Sequence, residues 1–417
     1  MDGEIQPPTG HGRYIEGLVP MRLSTQQFLL ALAFVLMSLV IADSGDGAAP
    51  TDKAARDAGA SWPNFRNGLE LRGVTKSPLP DKLELLWSHP IPDGMVFTSA
   101  VAVLDGRVYA STLGGELLCL DLKSGKLLWK YLSAAKPEPD TFIPGFPSAP
   151  TVAADSVYVG DEDGVFHAVD RKTGKKRWLF QTQAEINSSA AVVGTRVIFG
   201  SYDANLYCLD SRTGKKVWSF ETADRINGSP AIAGKYTFVT GCDQHLRMIN
   251  IDTGKQEYDM ALGSFMIASP AVVGDLLYVG THDGEFLAVN WKKQEVVWRY
   301  SDPQKMQPYH ASAAILGDRI VVGSQDKRVH CIDRKSGKRL WVVQTRAQVN
   351  SSPVIAGKRV YFGSADKHVY AIELETGKEV WKHRGKSDFN AAPSVAAGRL
   401  LIGSEGSQAR LLCFGAK

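Results

Sequence analysis

Residues 190–218 read AAVVGTRVIFGSYDANLYCLDSRTGKKVW, and residues 352–381 read SPVIAGKRVYFGSADKHVYAIELETGKEVW. Both stretches end in a T-G-K turn that is followed by a tryptophan. This pattern recurs along the chain, at intervals of 42, 49, 40, 40, 40, 43 and 40 residues. Such a regular period indicates an array of one supersecondary unit. The aromatic residues at the repeated position are Trp87, Trp129, Trp178, Trp218, Tyr258, Trp298, Trp341 and Trp381.

Each unit contains four short runs that are rich in Val, Ile, Tyr and Phe. Gly and Asp separate these runs, as at Gly194 and Asp203. Short apolar runs with such residues between them are typical of antiparallel strands joined in hairpins. Four strands in about 40 residues predict one blade of a β-propeller. A helical solenoid fits worse, because no helical apolar period is long enough.

The two ends of the chain predict how the ring closes. After Trp381 the sequence supplies three more strand-like runs but no outer strand. Residues 83–90 have the pattern of an outer strand and have no inner strands before them. Pairing this N-terminal strand with the C-terminal blade leaves no open sheet edge. The sequence therefore predicts an all-β, eight-bladed propeller with four antiparallel strands per blade over residues 83–417.

The recurring L-Y-A-L-D-x-x-T-G-K-x-x-W pattern resembles the repeat of the pyrroloquinoline quinone (PQQ) propeller superfamily. That group includes the quinoprotein alcohol dehydrogenases and the non-enzymatic outer-membrane protein assembly factor BamB. The resemblance covers residues 83–414, and residues 61–74 look like the lead-in of secreted PQQ-like propellers. It implies that the outer-strand tryptophans dock neighbouring blades: Trp87, Trp129, Trp178, Trp218, Trp298, Trp341 and Trp381.

The segment before the propeller has the composition of an export signal. We assign residues 1–42 to an N-terminal extension and signal peptide, with Met21 as an alternative start, residues 43–60 to a disordered linker and residues 61–82 to a lead-in. The apolar stretch 28–41 is shorter than the roughly 20 residues that span a bilayer, and both a cleaved signal and an uncleaved anchor stay open. We expect an exported protein of the periplasm or cell envelope, or a secreted one. No cysteine lies near Ala42, so no lipid anchor is expected.

Charge and cysteine usage narrow the function classes. The formal charge of +4 over 417 residues gives no reason to expect a nucleic-acid partner. Four of the five cysteines occupy the same position in different repeats. Equivalent positions in neighbouring blades should be too far apart for a disulfide, so we interpret them as small buried residues. They are Cys119, Cys208, Cys331 and Cys413.

Quinoprotein dehydrogenases, by the same resemblance, hold PQQ between a tryptophan floor and a disulfide of adjacent cysteines, with a metal beside it. This chain has no adjacent cysteines, and Trp291 falls in a turn on the opposite face from the expected site. No zinc or nucleophile motif appears either. We therefore predict no catalytic residue, no cofactor and no metal.

A polar ring is expected where the chain enters the inner strand of each blade. Alignment of the repeats places four asparagines and one histidine there. Such a ring can hold a small polar ligand or cation, or the asparagines can simply close their loops by bonding their own backbone. The ring residues are Asn187, Asn227, His310, Asn350 and Asn390.

Four inter-blade loops on the same face depart from the repeat because they carry apolar residues. Clustered apolar side chains on a solvated face mark partner-binding sites, although they can instead fold down as plugs over the channel. The candidate partner-binding residues are Phe97, Phe142, Ile143, Phe146, Phe265, Met266, Met306 and Tyr309.

These observations favour a non-enzymatic, monomeric scaffold that binds envelope proteins. The expected binding face is the one that carries the polar ring, at the mouth of the central channel. The resemblance to BamB implies that architecture, whereas the identity of the partner has no sequence motif. Two alternatives stay open. One is a PQQ-dependent dehydrogenase, and the other is a propeller that binds or cleaves polysaccharide.

Overall fold

A computed structural model describes residues 59–91, 96–97, 99–134, 143–302 and 305–417. These residues form eight four-stranded antiparallel sheets, one of which carries an additional two-residue strand. The predicted eight-bladed propeller is therefore confirmed. In the described residues no helix has the length and apolar character needed to cross a bilayer. The predicted signal peptide and nearly all of the predicted linker lie outside them.

The first four blades follow one another along the chain, and each runs from an inner to an outer strand. Their strands are β3 (Ala102–Leu104), β4 (Arg107–Ser111), β5 (Glu116–Asp121) and β6 (Leu127–Leu132); β7 (Thr151–Ala153), β8 (Ser156–Gly160), β9 (Val165–Asp170) and β10 (Lys176–Gln181); β11 (Ala191–Val193), β12 (Arg196–Gly200), β13 (Asn205–Asp210) and β14 (Lys216–Glu221); β15 (Ala231–Ala233), β16 (Tyr236–Thr240), β17 (His245–Asn250) and β18 (Gln256–Ala261).

The remaining blades complete the ring. Their strands are β19 (Ala271–Val273), β20 (Leu276–Gly280), β21 (Phe286–Asn290) and β22 (Glu295–Tyr300); β23 (Ala314–Leu316), β24 (Arg319–Ser324), β25 (Arg328–Asp333) and β26 (Arg339–Gln344); β27 (Val354–Ala356), β28 (Arg359–Ser364), β29 (His368–Glu373) and β30 (Glu379–Arg384); β31 (Ser394–Ala396), β32 (Arg399–Gly403), β33 (Arg410–Gly415) and β2 (Glu84–Pro90), with β1 (Val74–Thr75) beside β27.

The eighth blade is split between the two ends of the chain, as the sequence predicts. Strand β2 pairs antiparallel with β33, and Trp87 lies opposite Cys413. The preceding blade contacts the N-terminal segment through the same type of bond that the other outer-strand tryptophans make, since the Trp381 indole donates to the Leu83 carbonyl at 3.0 Å. Closure leaves every blade with a partner on both sides.

The outer-strand tryptophans dock each blade on the next. In each case the indole N–H donates to a backbone carbonyl of the following blade, as from Trp178 to Ser211 at 3.2 Å. At six of these interfaces the indole also covers the glycine at the turn before the outer strand, and an added Cβ at Gly214, for example, would lie 2.6 Å from Trp178. Gly214 has a φ of 72°, a left-handed conformation that glycine adopts without strain. The docking role implied by the resemblance is thus visible in the structure.

One interface departs from this rule at both of its residues. Blade 5 has Gln294 where other turns have glycine, and Gln294 keeps a φ of 63°. Its partner from blade 4 is Tyr258, whose hydroxyl donates to the Gln294 carbonyl at 3.4 Å. The phenol ring is smaller than an indole and leaves room for the Cβ. The two substitutions are therefore linked by packing.

The lead-in crosses the ring on the side of the T-G-K turns. Its carbonyls accept inner-strand N–H groups from six blades, for example Trp62 from Val103 at 2.7 Å and Gly73 from Ile355 at 2.9 Å. Trp62 is 0% exposed. Arg66 is also fully buried, donates to the Ala313 carbonyl at 2.7 Å, and has its pKa lowered to about 9 by that burial. The lead-in is therefore an integral part of the propeller core.

We expect Tyr258→Trp to lower the free energy of unfolding by about 1 to 3 kcal/mol, because the larger ring meets the Gln294 Cβ. Gln294→Gly in the same chain should restore most of that loss. Urea unfolding of the two single variants and the double variant measures the coupling. Additive effects would contradict the packing link between these residues.

We expect Trp62→Ala to lower the free energy of unfolding by about 3 to 5 kcal/mol, because it empties a fully buried site. The loss should be at least as large as that of Trp218→Ala, whose side chain is only partly buried. Chemical denaturation of the two variants provides the comparison. A Trp62→Ala protein that unfolds like wild type would show that the lead-in is peripheral.

Candidate functional site

The predicted ring residues meet at one end of the channel. Asn187, Asn227, His310, Asn350 and Asn390 all line a cavity of about 280 Å³. Each stands just before the inner strand of its blade, so the eightfold arrangement turns them towards a common axis. Pro147 and Ile267 fill the same position in blades 2 and 5, and Thr98 of blade 1 lies outside the described residues. We call this end the channel mouth.

A second tier lies two residues further along the chain in each blade, and two residues before the inner strand begins. Five blades place serine there, and each serine hydroxyl accepts an N–H from the preceding blade, as Ser229 does from Ser189 at 3.0 Å. These distances span 2.8 to 3.0 Å around the arc. The bonds tie the inner strands together at the wall of the cavity. This serine arc consists of Ser189, Ser229, Ser269, Ser312 and Ser352.

The other three blades have alanine in this tier. Ala100, Ala149 and Ala392 form an apolar cluster on which Phe65 of the lead-in packs. Phe65 also lines the cavity. The cavity wall is therefore divided into a hydrogen-bonding serine arc and an apolar alanine arc with an aromatic ring beside it.

A further set of mouth residues escaped the sequence analysis. They stand at the hairpin between the second and third strands, and they bond to the ring residues of their own or the next blade. Gln325 donates to His310 Nδ1 at 2.8 Å, and Asn390 donates to Glu405 Oε2 at 2.8 Å. The signal available in the sequence is one variable residue inside an otherwise constant hairpin. This hairpin set consists of Tyr202, Cys242, His282, Gln325 and Glu405.

Burial changes the titration of two groups at the mouth. Desolvation raises the pKa of Glu405, and the nearby Asp388 raises it further, while the hydrogen bond from Asn390 acts in the other direction. Desolvation, followed by the neighbouring His282, lowers the pKa of His310. His310 Nδ1 accepts a hydrogen bond from the Gln325 side-chain amide. A proton on Nδ1 would therefore place an N–H donor opposite another N–H donor. The neutral imidazole is the form that suits this site.

Four of the eight candidate partner-binding residues are buried, so their assignment to exposed loop tips is wrong. Phe97 is 0% exposed, Phe146 0%, Met266 0% and Tyr309 3%. Each precedes a ring position and fills the space over the second strand of the preceding blade. An added Cβ at Gly280 would lie 2.3 Å from Tyr309, and one at Gly403 would lie 2.3 Å from Phe97. They are blade-docking residues, like Ile186 and Val349 in the regular repeats.

The remaining candidates are distributed differently. Phe265 is 43% exposed and Met306 is 49% exposed, and Ile267 on the same face is 37% exposed. Ile143 is half-buried, and Phe142 lies outside the described residues. Two of the exposed residues lie beside one hairpin: the Phe265 ring lies 6.2 Å from that of His282, and a Cβ added at Gly284 would lie 3.1 Å from the Met306 carbonyl carbon. We call Phe265, Ile267 and Met306 the mouth patch.

The cysteines occupy the places that the repeat predicts. All five are free, and the four at the shared position are buried. Burial raises the thiol pKa to about 12 at Cys208, Cys331 and Cys413. Within the described ranges no three His, Cys, Asp or Glu side chains converge as a metal site.

Comparisons with known proteins agree with this fold. The family model described as "Beta-alanine-activating enzyme, beta-propeller" matches residues 147–397, which is more than half of the chain. A 1-butanol dehydrogenase (cytochrome c) from Thauera butanivorans is 29% identical over 204 residues, covering 46% of this chain and 27% of the relative. Outer membrane protein assembly factor BamB of Xanthomonas campestris pv. campestris is 28% identical over 109 residues, covering 25% of this chain and 27% of the relative.

The matched segments thus span about a quarter of the length of these two curated relatives. Among solved structures, BamB from Moraxella catarrhalis superposes with a TM-score of 0.65 at 19% identity, over 81% of this chain and 98% of that one. At this identity the likeness shows the architecture alone. The resemblance predicted from the repeat is confirmed at the level of the superfamily and of BamB-like architecture.

We expect His310→Asn, which installs the asparagine found at this position in blades 3, 4, 7 and 8, to change the pH dependence of stability. A lowered histidine pKa means that the unfolded chain binds the proton more tightly, so wild type loses stability as pH falls through and below about 6.5. The variant lacks this term. Its melting temperature should rise relative to wild type between pH 7.5 and pH 5. Parallel pH profiles for the two proteins would contradict burial of a neutral His310.

Proposed function

The chain belongs to the family described as "Beta-alanine-activating enzyme, beta-propeller". We propose that it acts as a non-enzymatic scaffold that binds a protein partner at the channel mouth. The observation that carries this proposal is the mouth patch. Phe265, Ile267 and Met306 leave apolar surface in water on a face where the equivalent residues of regular blades are polar. Clustered exposed apolar side chains are a mark of protein interfaces.

The surroundings of the mouth patch suit a protein partner. His282 lies between Phe265 and His310, with ring centroids 6.2 and 5.6 Å away respectively. Aromatic and methionine side chains at the centre, with hydrogen-bonding groups at the edge, are the composition of a typical interface. We propose a partner that inserts an apolar side chain here and meets the histidines with polar groups.

We also propose that the protein is exported from the cytoplasm. The charged Arg22 and the apolar stretch 28–41 have the order of a secretory signal. The similarity to BamB, an outer membrane protein assembly factor by name, supports a protein partner in the cell envelope. We propose a monomer in the periplasm or envelope, without a nucleic-acid partner.

A quinone cofactor is not part of the proposal. PQQ is a polyanion, and the lining of the described cavity contains no lysine or arginine to neutralise it. The cavity is lined by Phe65 instead of a tryptophan, and the sequence lacks adjacent cysteines. Dye reduction by an alcohol after addition of PQQ and calcium would contradict this part of the proposal and favour the dehydrogenase alternative.

We expect a triple variant, Phe265→Ser, Ile267→Asn and Met306→Ser, to lose its envelope partner. Truncation of residues at the centre of an interface typically costs about 2 kcal/mol or more each, which is a loss of at least about 30-fold in affinity. Quantitative affinity capture from envelope extract, followed by titration of the captured protein, measures it. The melting curve should change little, because all three side chains are exposed.

A matched control removes equally exposed apolar residues from outer strands. Leu179 is 46% exposed, Val217 48% and Leu340 42%, and their replacement by serine should leave capture unchanged. Charge reversal of Lys175, Lys176, Lys215 and Lys216 in the T-G-K turns is a second control. Loss of capture in either control, together with normal capture by the mouth-patch variant, would show that the partner binds a surface other than the mouth.

A further inference from the structure

The channel cavity has an uncharged lining. No Asp, Glu, Lys or Arg is among the described residues that form it. His310 stays neutral near pH 7, because burial lowers its pKa. A charged ligand would lose its hydration in this cavity without gaining a counter-ion. The lining therefore favours neutral polar molecules over ions.

The serine and asparagine side chains of the cavity share one property, which is that each can both donate and accept hydrogen bonds. Each hydroxyl of the serine arc accepts one backbone N–H, and retains its own O–H and a second lone pair. The mouth asparagines offer both amide donors and carbonyl acceptors. Groups that donate and accept at once are matched by ligand hydroxyl groups, which do the same.

The opposite wall requires an apolar surface on the ligand. Phe65 and the alanine arc form a patch without hydrogen-bonding side-chain groups. A molecule that fills the cavity must therefore carry hydroxyl groups on one side and C–H groups on the other. Pyranose sugars and cyclic polyols have this division.

Size and access set further limits. A volume of about 280 Å³ equals that of about nine water molecules at roughly 30 Å³ each. One monosaccharide with a few waters fills such a space. On the far side the lead-in accepts backbone hydrogen bonds from six blades. The ligand must therefore enter and leave through the channel mouth.

We propose that the channel cavity binds a neutral polyhydroxylated molecule of monosaccharide size, with its C–H face on Phe65 and the alanine arc and its hydroxyl groups on the serine arc and mouth asparagines. This site shares only Ile267 with the mouth patch, because Phe265 and Met306 are not among the residues that line the cavity. It requires neither the protein partner nor a chemical reaction.

The test begins with a probe set of matched size. Glucose, galactose, mannose and myo-inositol are the neutral probes, glucuronate and glucosamine carry one charge each, and cyclohexanol has the ring without most hydroxyl groups. Saturation-transfer NMR and calorimetry should show saturable binding of at least one neutral probe. The charged sugars and cyclohexanol should bind at least about tenfold more weakly. In the bound sugar, the C–H face should receive the stronger saturation transfer, because it contacts Phe65.

Two variants place the ligand in the cavity. Ser229→Ala with Ser312→Ala copies the alanine found at this tier in three blades, and should lower affinity for the neutral sugar at least about tenfold. Ser219→Ala with Ser301→Ala is the matched control, because both serines are exposed and outside the lining. Asn350→Asp adds one carboxylate to the wall, and should shift the preference from glucose towards glucosamine.

The outcomes separate cleanly. Absence of saturable binding by every neutral probe overturns the proposal, as does tighter binding of glucuronate than of glucose. Equal affinity in the serine-arc variant and its control would place the ligand elsewhere and also overturn it. If the serine-arc variant fails to fold, the Asn350→Asp preference decides. The double variant Phe265→Ser and Met306→Ser keeps the lining residue Ile267, so its loss of the protein partner should leave all these results unchanged.

Discussion

The packing of an indole ring on a glycine holds the blades together at six of the eight interfaces, and the rest of the structure depends on it. The ring of Trp178 covers Gly214, and its N–H reaches the Ser211 carbonyl of the same turn. The contact combines close packing with one directional bond, so it sets both the distance and the angle between blades. Repetition of this geometry is what lets separate sheets meet as a closed ring and leave an axial cavity.

The sequence predicts the ring and its mouth because both depend on residues that repeat in register. Asn187 and Asn350 occupy the same place in their repeats, and a circular array brings equal places to a common axis. The same register could have revealed the buried role of Met266, which aligns with Ile186. The apolar residues of this loop suggest an exposed tip, because a large side chain beside a loop gives the same sequence pattern whether it points inward or outward.

Other features carry no sequence signature. The lead-in is held through backbone carbonyls, as in the bond from Ile232 to Leu69 at 2.8 Å, and any residue can supply these. Its path across the ring could not be predicted from side chains. The hairpin set was missed for the opposite reason, since Tyr202, His282 and Glu405 differ in chemistry and share only a position. Their meeting depends on which blade lies beside which.

Closure by β2 and β33 also determines when the molecule becomes complete during synthesis. Ser88 and Arg410, which touch across the split blade, are separated by 322 residues of chain. At roughly 5 to 20 residues per second, the N-terminal strand waits about 15 to 60 s for its partner to be translated. Throughout that interval two blade edges are unpaired. A nascent chain of this kind cannot close its ring until β33 has been synthesised, and until then its unpaired edges are accessible to factors that bind unfolded chains.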